Sequence, residues 1–248
     1  MSEKIFNVQQ RSTVADLPAR QKVLEVHARL CREYECPIRR FQHHDPLSAL
    51  ISALLSHRTL NRDSGKAFRR LKERFVEWAY VRDAPVAEVE EAIQECTWPE
   101  QKAPRIQAVL REITLQGHGE LSLEFLTEQS VQEARTWLET LPGVGPKTSA
   151  AVMSFSTLQG KALPVDSHHH RVASRLGLIP ENMAVGPSHR VLEAQLPDHW
   201  NEQQVFDNHQ IIMRHGKEIC TWKMPRCGQC ILLDLCPAGQ RWSIADKS

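Results

Sequence analysis

Apolar side chains recur along this chain at intervals of three and four residues, with polar and charged residues on the opposite face, which is the period of an amphipathic helix. The pattern predicts helices over Gln21–Tyr34, Pro46–Ser56, Asn61–Phe75, Pro85–Cys96, Ala103–Gln116, Ser130–Leu141, Lys147–Leu158, Ser167–Leu176, Gly186–Leu196 and Gln203–Cys220. Nowhere does the alternation of a half-buried strand persist. The breaks carry helix punctuation. His44-Asp45-Pro46 and Asp83-Ala84-Pro85 each read as a cap followed by an early proline, and Gly177 suits a helix end in the left-handed conformation. The expectation is an all-α protein of about ten helices with short connections and no internal repeat.

Composition mainly sets limits. A chain of 248 residues has the length for one large domain or two modest ones with a sizeable core. The N-terminus, MSEKIFNVQQR, is polar and no segment has the length and apolarity of a membrane span, so the expected setting is the cytosol, or the nucleus of a cell that has one. Thiols stay reduced there, so the seven cysteines are expected as metal ligands or free thiols and not as a disulfide framework. A net charge of +1 does not mark a globally basic nucleic-acid binder. Locally, Arg58, Arg62, Lys66 and Arg70 follow one another at intervals of four, which gathers them on one stripe of a helix, while Ala67, Phe68, Leu71 and Phe75 face elsewhere. Such a stripe is either a solvated face or a track for phosphates.

The densest chemical signal lies near the C-terminus. Cys220, Cys227, Cys230 and Cys236 are spaced C-x6-C-x2-C-x5-C in a segment interrupted by Pro225, Gly228 and Pro237. Four thiolates in a loop-rich segment with little core of its own read as a metal site, zinc or iron–sulfur, whose metal supplies folding energy the segment otherwise lacks. Cys31, Cys36 and Cys96 fall outside the spacing and are expected as buried small apolar residues.

A second signal is LPGVGPKTSA, from Leu141 to Ala150. With helical patterns on both sides, Pro142-Gly143-Val144-Gly145 reads as a hairpin between two helices, and Pro146 suits the first turn of the second. Hairpin amides followed by a helix N-terminus form an anion site suited to a phosphate; a tight connection with no ligand is the plain alternative. Lys147 sits in that first turn, where the partial positive charge lowers its pKa and makes its amine a better nucleophile, one able to form a Schiff base. Asp166, in LPVDSHHHRV, is placed to cap the helix that follows, or to stabilise developing positive charge near Lys147. His168, His169 and His170 point to different sides of that helix and do not suit one metal ion.

These three motifs, LPGVGPKTSA, VDSHHHRV and the cysteine spacing ending in PRCGQC and LC, resemble in order the endonuclease III branch of the helix-hairpin-helix DNA glycosylases, with a likeness that runs from about Asp45 to Cys236. The resemblance implies an all-α protein of two helical lobes around a DNA cleft: a six-helix lobe with the hairpin, residues 40–162, and a lobe from residues 1–39 and 163–248 holding a 4Fe-4S cluster on Cys220, Cys227, Cys230 and Cys236. It implies a monomeric base-excision repair enzyme that flips a damaged base, an oxidised pyrimidine, out of double-stranded DNA. Lys147 would attack the sugar C1′ and nick the resulting abasic site by β-elimination, with Asp166 as the essential carboxylate. Gly143, Val144 and Gly145 would hold DNA phosphate, and Lys223 and Arg226 would meet DNA from the loop Thr221–Arg226. This chain departs from the family where DNA is opened. Leu55-Ser56-His57-Arg58 replaces Leu-Ser-Ala-Gln, and Thr97-Trp98-Pro99 stands where a leucine wedge is usual, so Arg58 and Trp98 are the expected intruders. Two other readings stay open: a monofunctional mismatch glycosylase, which would lack the lysine, and a binder of distorted or abasic DNA with little catalysis.

Overall fold

The computed structural model describes residues 17–40 and 44–245. Among these residues the fold is all-α. In chain order the helices are α1 (Ala19–Tyr34), α2 (Pro46–Ser56), α3 (Asn61–Arg74), α4 (Trp78–Asp83), α5 (Val86–Ala92), α6 (Pro99–Gln116), α7 (Val131–Leu138), α8 (Pro146–Phe155), α9 (Ser167–Arg175), α10 (Val185–Gln195), α11 (Glu202–Glu218) and α12 (Pro237–Ala245). None is long and apolar enough to cross a membrane.

Two hydrophobic cores organise these helices. Helices α2 to α8 close around one, in which Leu50, Ile51, Leu55, Leu71, Ile93, Ile106, Leu110 and Leu138 are fully buried. The other gathers α1, α9, α10 and α11 around Leu30, Val165, Leu176, Ile211 and Leu235. The chain leaves the first core at Ala162 and enters the second at Leu163. Arg135 of α7 makes a two-pronged ion pair with Glu193 of α10 at 2.7 and 2.9 Å, and the same carboxylate accepts the Leu163 amide at 3.1 Å. The crossing strand that leads to Asp166 is therefore tied to both cores. Residues 1–16 of the lobe expected from residues 1–39 and 163–248 lie outside the described residues.

Several element boundaries differ from the periodic pattern. Helices α4 and α12 are additional; α4 has only six residues, too few to show a period, and α12 starts on Pro237 directly after the last cysteine of the C-terminal spacing. The segment read as Pro85–Cys96 stops at Ala92, and α6 begins at Pro99, before the expected Ala103. Asp45 caps α2 as expected, accepting the Ser48 amide at 2.8 Å. Asp83 does not cap α5: it takes two hydrogen bonds from neighbouring Arg82, and Pro85 occupies the cap position. Gly177 ends α9 with φ +73°, the left-handed turn anticipated there.

The cysteines need one correction. Cys31 and Cys36 form a disulfide and are not free thiols. Glu35 turns left-handed at the end of α1, and the reversal places the Cys36 amide 3.0 Å from the Cys31 carbonyl, bringing together two residues that sequence distance alone does not pair. Cys96 is a buried free thiol, as expected.

Candidate active site

A cleft of about 600 Å³ opens where the loop after α2, the start of α6, the start of α8 and the start of α9 meet, and both Lys147 and Asp166 line it. Lys147 is the second residue of α8, after Pro146. Its ammonium pKa lies below the usual lysine range; burial is the main cause, and the negative charge of Asp166 works against it. Burial, and not the helix N-terminus expected to do so, is the main cause of the lowering. Asp166 caps α9 by accepting the His169 amide at 2.7 Å, which fixes a carboxylate at the cleft edge. Capping and a chemical role are therefore compatible.

The hairpin is shaped by one glycine. Gly143 has φ +77°, and a Cβ there would stand 2.7 Å from Cδ of Arg105, so the arginine lies flat across the turn and faces the cleft. Space beyond Gly145 is open. Val144 contributes differently from its glycine neighbours. Its side chain is buried in the first core and its amide is spent on the Leu141 carbonyl at 3.1 Å. Among the described residues the amides of Gly143 and Gly145 have no internal partner, which leaves them to an outside acceptor.

At the cleft mouth Arg58 and Trp98 face each other, the guanidinium carbon 5.8 Å from the indole centroid. Both have left-handed backbones, φ 52° and 56°, a conformation that costs a non-glycine residue roughly 1–2 kcal/mol. Behind them His57, which sequence reasoning treated only as a departure, shares a hydrogen bond of 2.9 Å with the Thr148 hydroxyl, next to Lys147. Burial, and then the positive charges of Lys147, Lys102 and Arg105, push its imidazole down to about 4, so it is neutral near pH 7. The basic stripe of α3 is only partly available. Arg58 lies on the turn before α3 and not on the helix, Arg62 pairs with Asp63 at 3.0 Å and Arg70 is held by Glu95 at 2.6 Å, while Lys66 stays exposed. Of the three consecutive histidines, His169 is buried and stacked on His209, His170 bonds to the Met183 carbonyl, and His168 alone reaches the cleft.

The four C-terminal cysteines line one small apolar cavity. Donors already point at their sulfurs: Gly239 donates its amide to Sγ of Cys236 at 3.3 Å, and Arg175 donates to Sγ of Cys220 at 3.2 Å. A Cβ on Gly239 would approach Leu233 to 3.0 Å and Cys236 Sγ to 3.4 Å, so the glycine keeps this cradle open. Among the described residues no three His, Cys, Asp or Glu side chains converge tightly enough to hold a single metal ion. Arg171 and Arg175, from the helix capped by Asp166, bond to the carbonyls of Cys220, Thr221 and Trp222 and hold the loop that carries exposed Lys223 and Arg226.

Residues 51–202 match the family model described as HhH-GPD superfamily base excision DNA repair protein. An Arabidopsis thaliana protein named as a candidate DNA glycosylase is 34% identical over 175 residues, which are 71% of this chain but only 57% of that protein. Endonuclease III of Synechocystis is 27% identical over 223 residues, 89% of this chain and 94% of the relative. Among solved structures, a trapped endonuclease III–DNA covalent intermediate, an estranged-adenine complex, superposes with a TM-score of 0.76 at 25% identity, covering 92% of this chain and all of that one.

Proposed function

Because the chain belongs to the HhH-GPD superfamily of base excision DNA repair proteins, we propose that it is a bifunctional DNA glycosylase that removes damaged bases, oxidised pyrimidines among them, and cleaves the abasic site that remains. The observation that carries this reading is Lys147: a half-buried amine of lowered pKa, set in a cleft beside a carboxylate. An endonuclease III of the same fold has been trapped as a covalent intermediate with DNA.

The chemistry follows from the positions. The lone pair of Lys147 Nζ forms a bond to C1′ of a flipped nucleotide, the C1′–base bond breaks, and its electron pair leaves with the base, which takes up a proton. Asp166 opposes the positive charge that develops on the sugar. Loss of a proton from the nitrogen and opening of the sugar ring give the imine. A C2′ proton then leaves, the C3′–O bond breaks with the phosphate as leaving group, and water returns Lys147 as the free amine. Neutral His57 lines the cleft without adding a charge that would oppose the developing cation. The amides of Gly143 and Gly145, with Arg105 and the loop residues Lys223 and Arg226, are suited to the phosphates of double-stranded DNA. A single chain supplies all these groups, which supports action as a monomer, wherever the cell keeps its DNA.

Cys220, Cys227, Cys230 and Cys236 would hold a 4Fe-4S cluster, which suits four sulfurs around a cavity that already carries N–H donors. Bound there, the cluster would supply structural cross-linking and no redox step, since base release by an amine needs no electron transfer. Purified protein is expected to be yellow-brown with about four irons per chain. A colourless, stably folded protein with one equivalent of zinc would contradict this assignment.

A panel of duplexes with defined lesions tests the function itself: oxidised pyrimidines should be excised and the strand nicked at the same place, while an undamaged duplex stays intact. Arg58→Gln belongs in the same panel. A guanidinium at the mouth favours base acceptors, guanine above all, so this change is expected to alter the ranking of opposite bases. If Arg58 only contacts phosphate, affinity will fall evenly for every duplex and the salt slope will drop by about one unit.

A further inference from the structure

Beneath the cleft mouth, Lys102 is only 5% exposed, although it is a lysine on the apolar face of α6. Its three protons are all spent on the last turn of α2 and the loop that follows it. Nζ donates to the Leu55 carbonyl at 2.7 Å, to the His57 carbonyl at 2.8 Å and to the Thr59 hydroxyl at 2.7 Å. Thr59 extends the contact to a second segment, because its oxygen also accepts the Thr97 amide at 3.0 Å. Cys96 reaches the same carbonyl of Leu55 at 3.6 Å. One buried ammonium therefore joins the turn that carries Arg58 to the turn that carries Trp98. Each of those two residues is left-handed, and Trp98 is 47% exposed. Without that tie, two strained turns at the protein surface would relax independently.

We propose that Lys102 is a positioning residue for DNA opening, which locks both turns and presents Arg58 and Trp98 as one preformed, two-pronged wedge. The proposal rests on the DNA-repair reading above. Its physical content is preorganisation: the ordering of both turns is complete before DNA arrives, so contact with the bases goes to unstacking them. A buried lysine that served only to fill the core would not need three oxygens at the end of α2 and in the loop beyond it as acceptors, and its loss would affect every substrate alike.

The test uses Lys102→Met, which keeps the stem and removes the donors, and Thr59→Val, which removes the shared hydroxyl at a half-buried site and stands in if the first variant folds poorly. Each is made alone and together with Trp98→Ala. Opening is read as the fluorescence rise of 2-aminopurine placed beside thymine glycol in a duplex, independently of base release. Chemistry is read as single-turnover excision from that duplex and as cleavage of an abasic site in a single strand, which needs no opening. We expect either variant to lower the fluorescence rise and duplex excision by about tenfold or more, and single-strand cleavage far less. Trp98→Ala is expected to cost the parent protein a similar factor and to cost the Lys102→Met protein little, because the wedge is already uncoupled. Full 2-aminopurine response in both variants overturns the proposal, as does an equal loss on both substrates or a Trp98→Ala factor that is the same in both backgrounds. A parent protein that opens the duplex but excises nothing overturns the glycosylase reading instead, and the fluorescence still decides the role of Lys102.

Discussion

Replacing Lys147 with glutamine is expected to abolish strand cleavage at an abasic site, by roughly 10³-fold or more, while DNA binding changes little. The amide is one atom shorter than lysine and still offers N–H donors, but its nitrogen has no lone pair available to carbon. The wild-type step should also carry a signature in pH. Burial lowers the Lys147 pKa, so the free amine is reached at lower pH than for an exposed lysine, and cleavage should rise with pH and level off below the usual lysine range. Quantitative nicking of a preformed abasic site checks both statements. Full lyase activity in Lys147→Gln would exclude this residue as the nucleophile.

Asp166→Asn is expected to lower base release by roughly 10²–10³-fold with little effect on thermal stability. Removing one preorganised electrostatic group from a reaction centre costs that order of rate. Stability should hold because asparagine caps a helix about as well as aspartate, so the hydrogen bond now taken from the His169 amide survives. The variant separates the two roles that share this side chain. It also carries a pH test of known sign. The carboxylate raises the Lys147 pKa, so its removal should move the rising limb of abasic-site cleavage to lower pH. A large drop in melting temperature would mean that the charge of the carboxylate, and not only the hydrogen bond that asparagine keeps, holds the start of α9.

Much of this was legible in the sequence because it depends on local order. Period sets the long helices, the glycines and proline of Leu141–Ala150 mark the hairpin, and cysteine spacing marks the C-terminal cavity, since each feature lies within one stretch of chain. What escaped detection depends on contacts between distant segments. The three acceptors of Lys102 come from residues 55–59, and the partner of His57 is Thr148. Lys102 did leave a trace, a lysine among Ala103, Ile106, Gln107 and Leu110 on the buried face of α6, but a periodic pattern shows that such a residue is misplaced without showing what accepts its protons. Arg70 illustrates the opposite error. Spacing set it on a stripe with Arg58, Arg62 and Lys66, yet Glu95 holds it, because a regular interval records direction and not occupancy. The disulfide went unseen for a related reason: the left-handed turn at Glu35 that pairs Cys31 with Cys36 falls on a residue with no mark of a turn.

The proposed glycosylase and lyase activity requires covalent chemistry at one side chain. Incubating the wild-type protein with a duplex containing an abasic site in the presence of borohydride, then mapping the product by peptide mass spectrometry, measures it directly. The expected result is a stable protein–DNA crosslink whose mass lies on the peptide that contains Lys147, and no such product when the same side chain is glutamine. A protein that binds the abasic duplex but leaves no crosslink, or one crosslinked through a different residue, would contradict it.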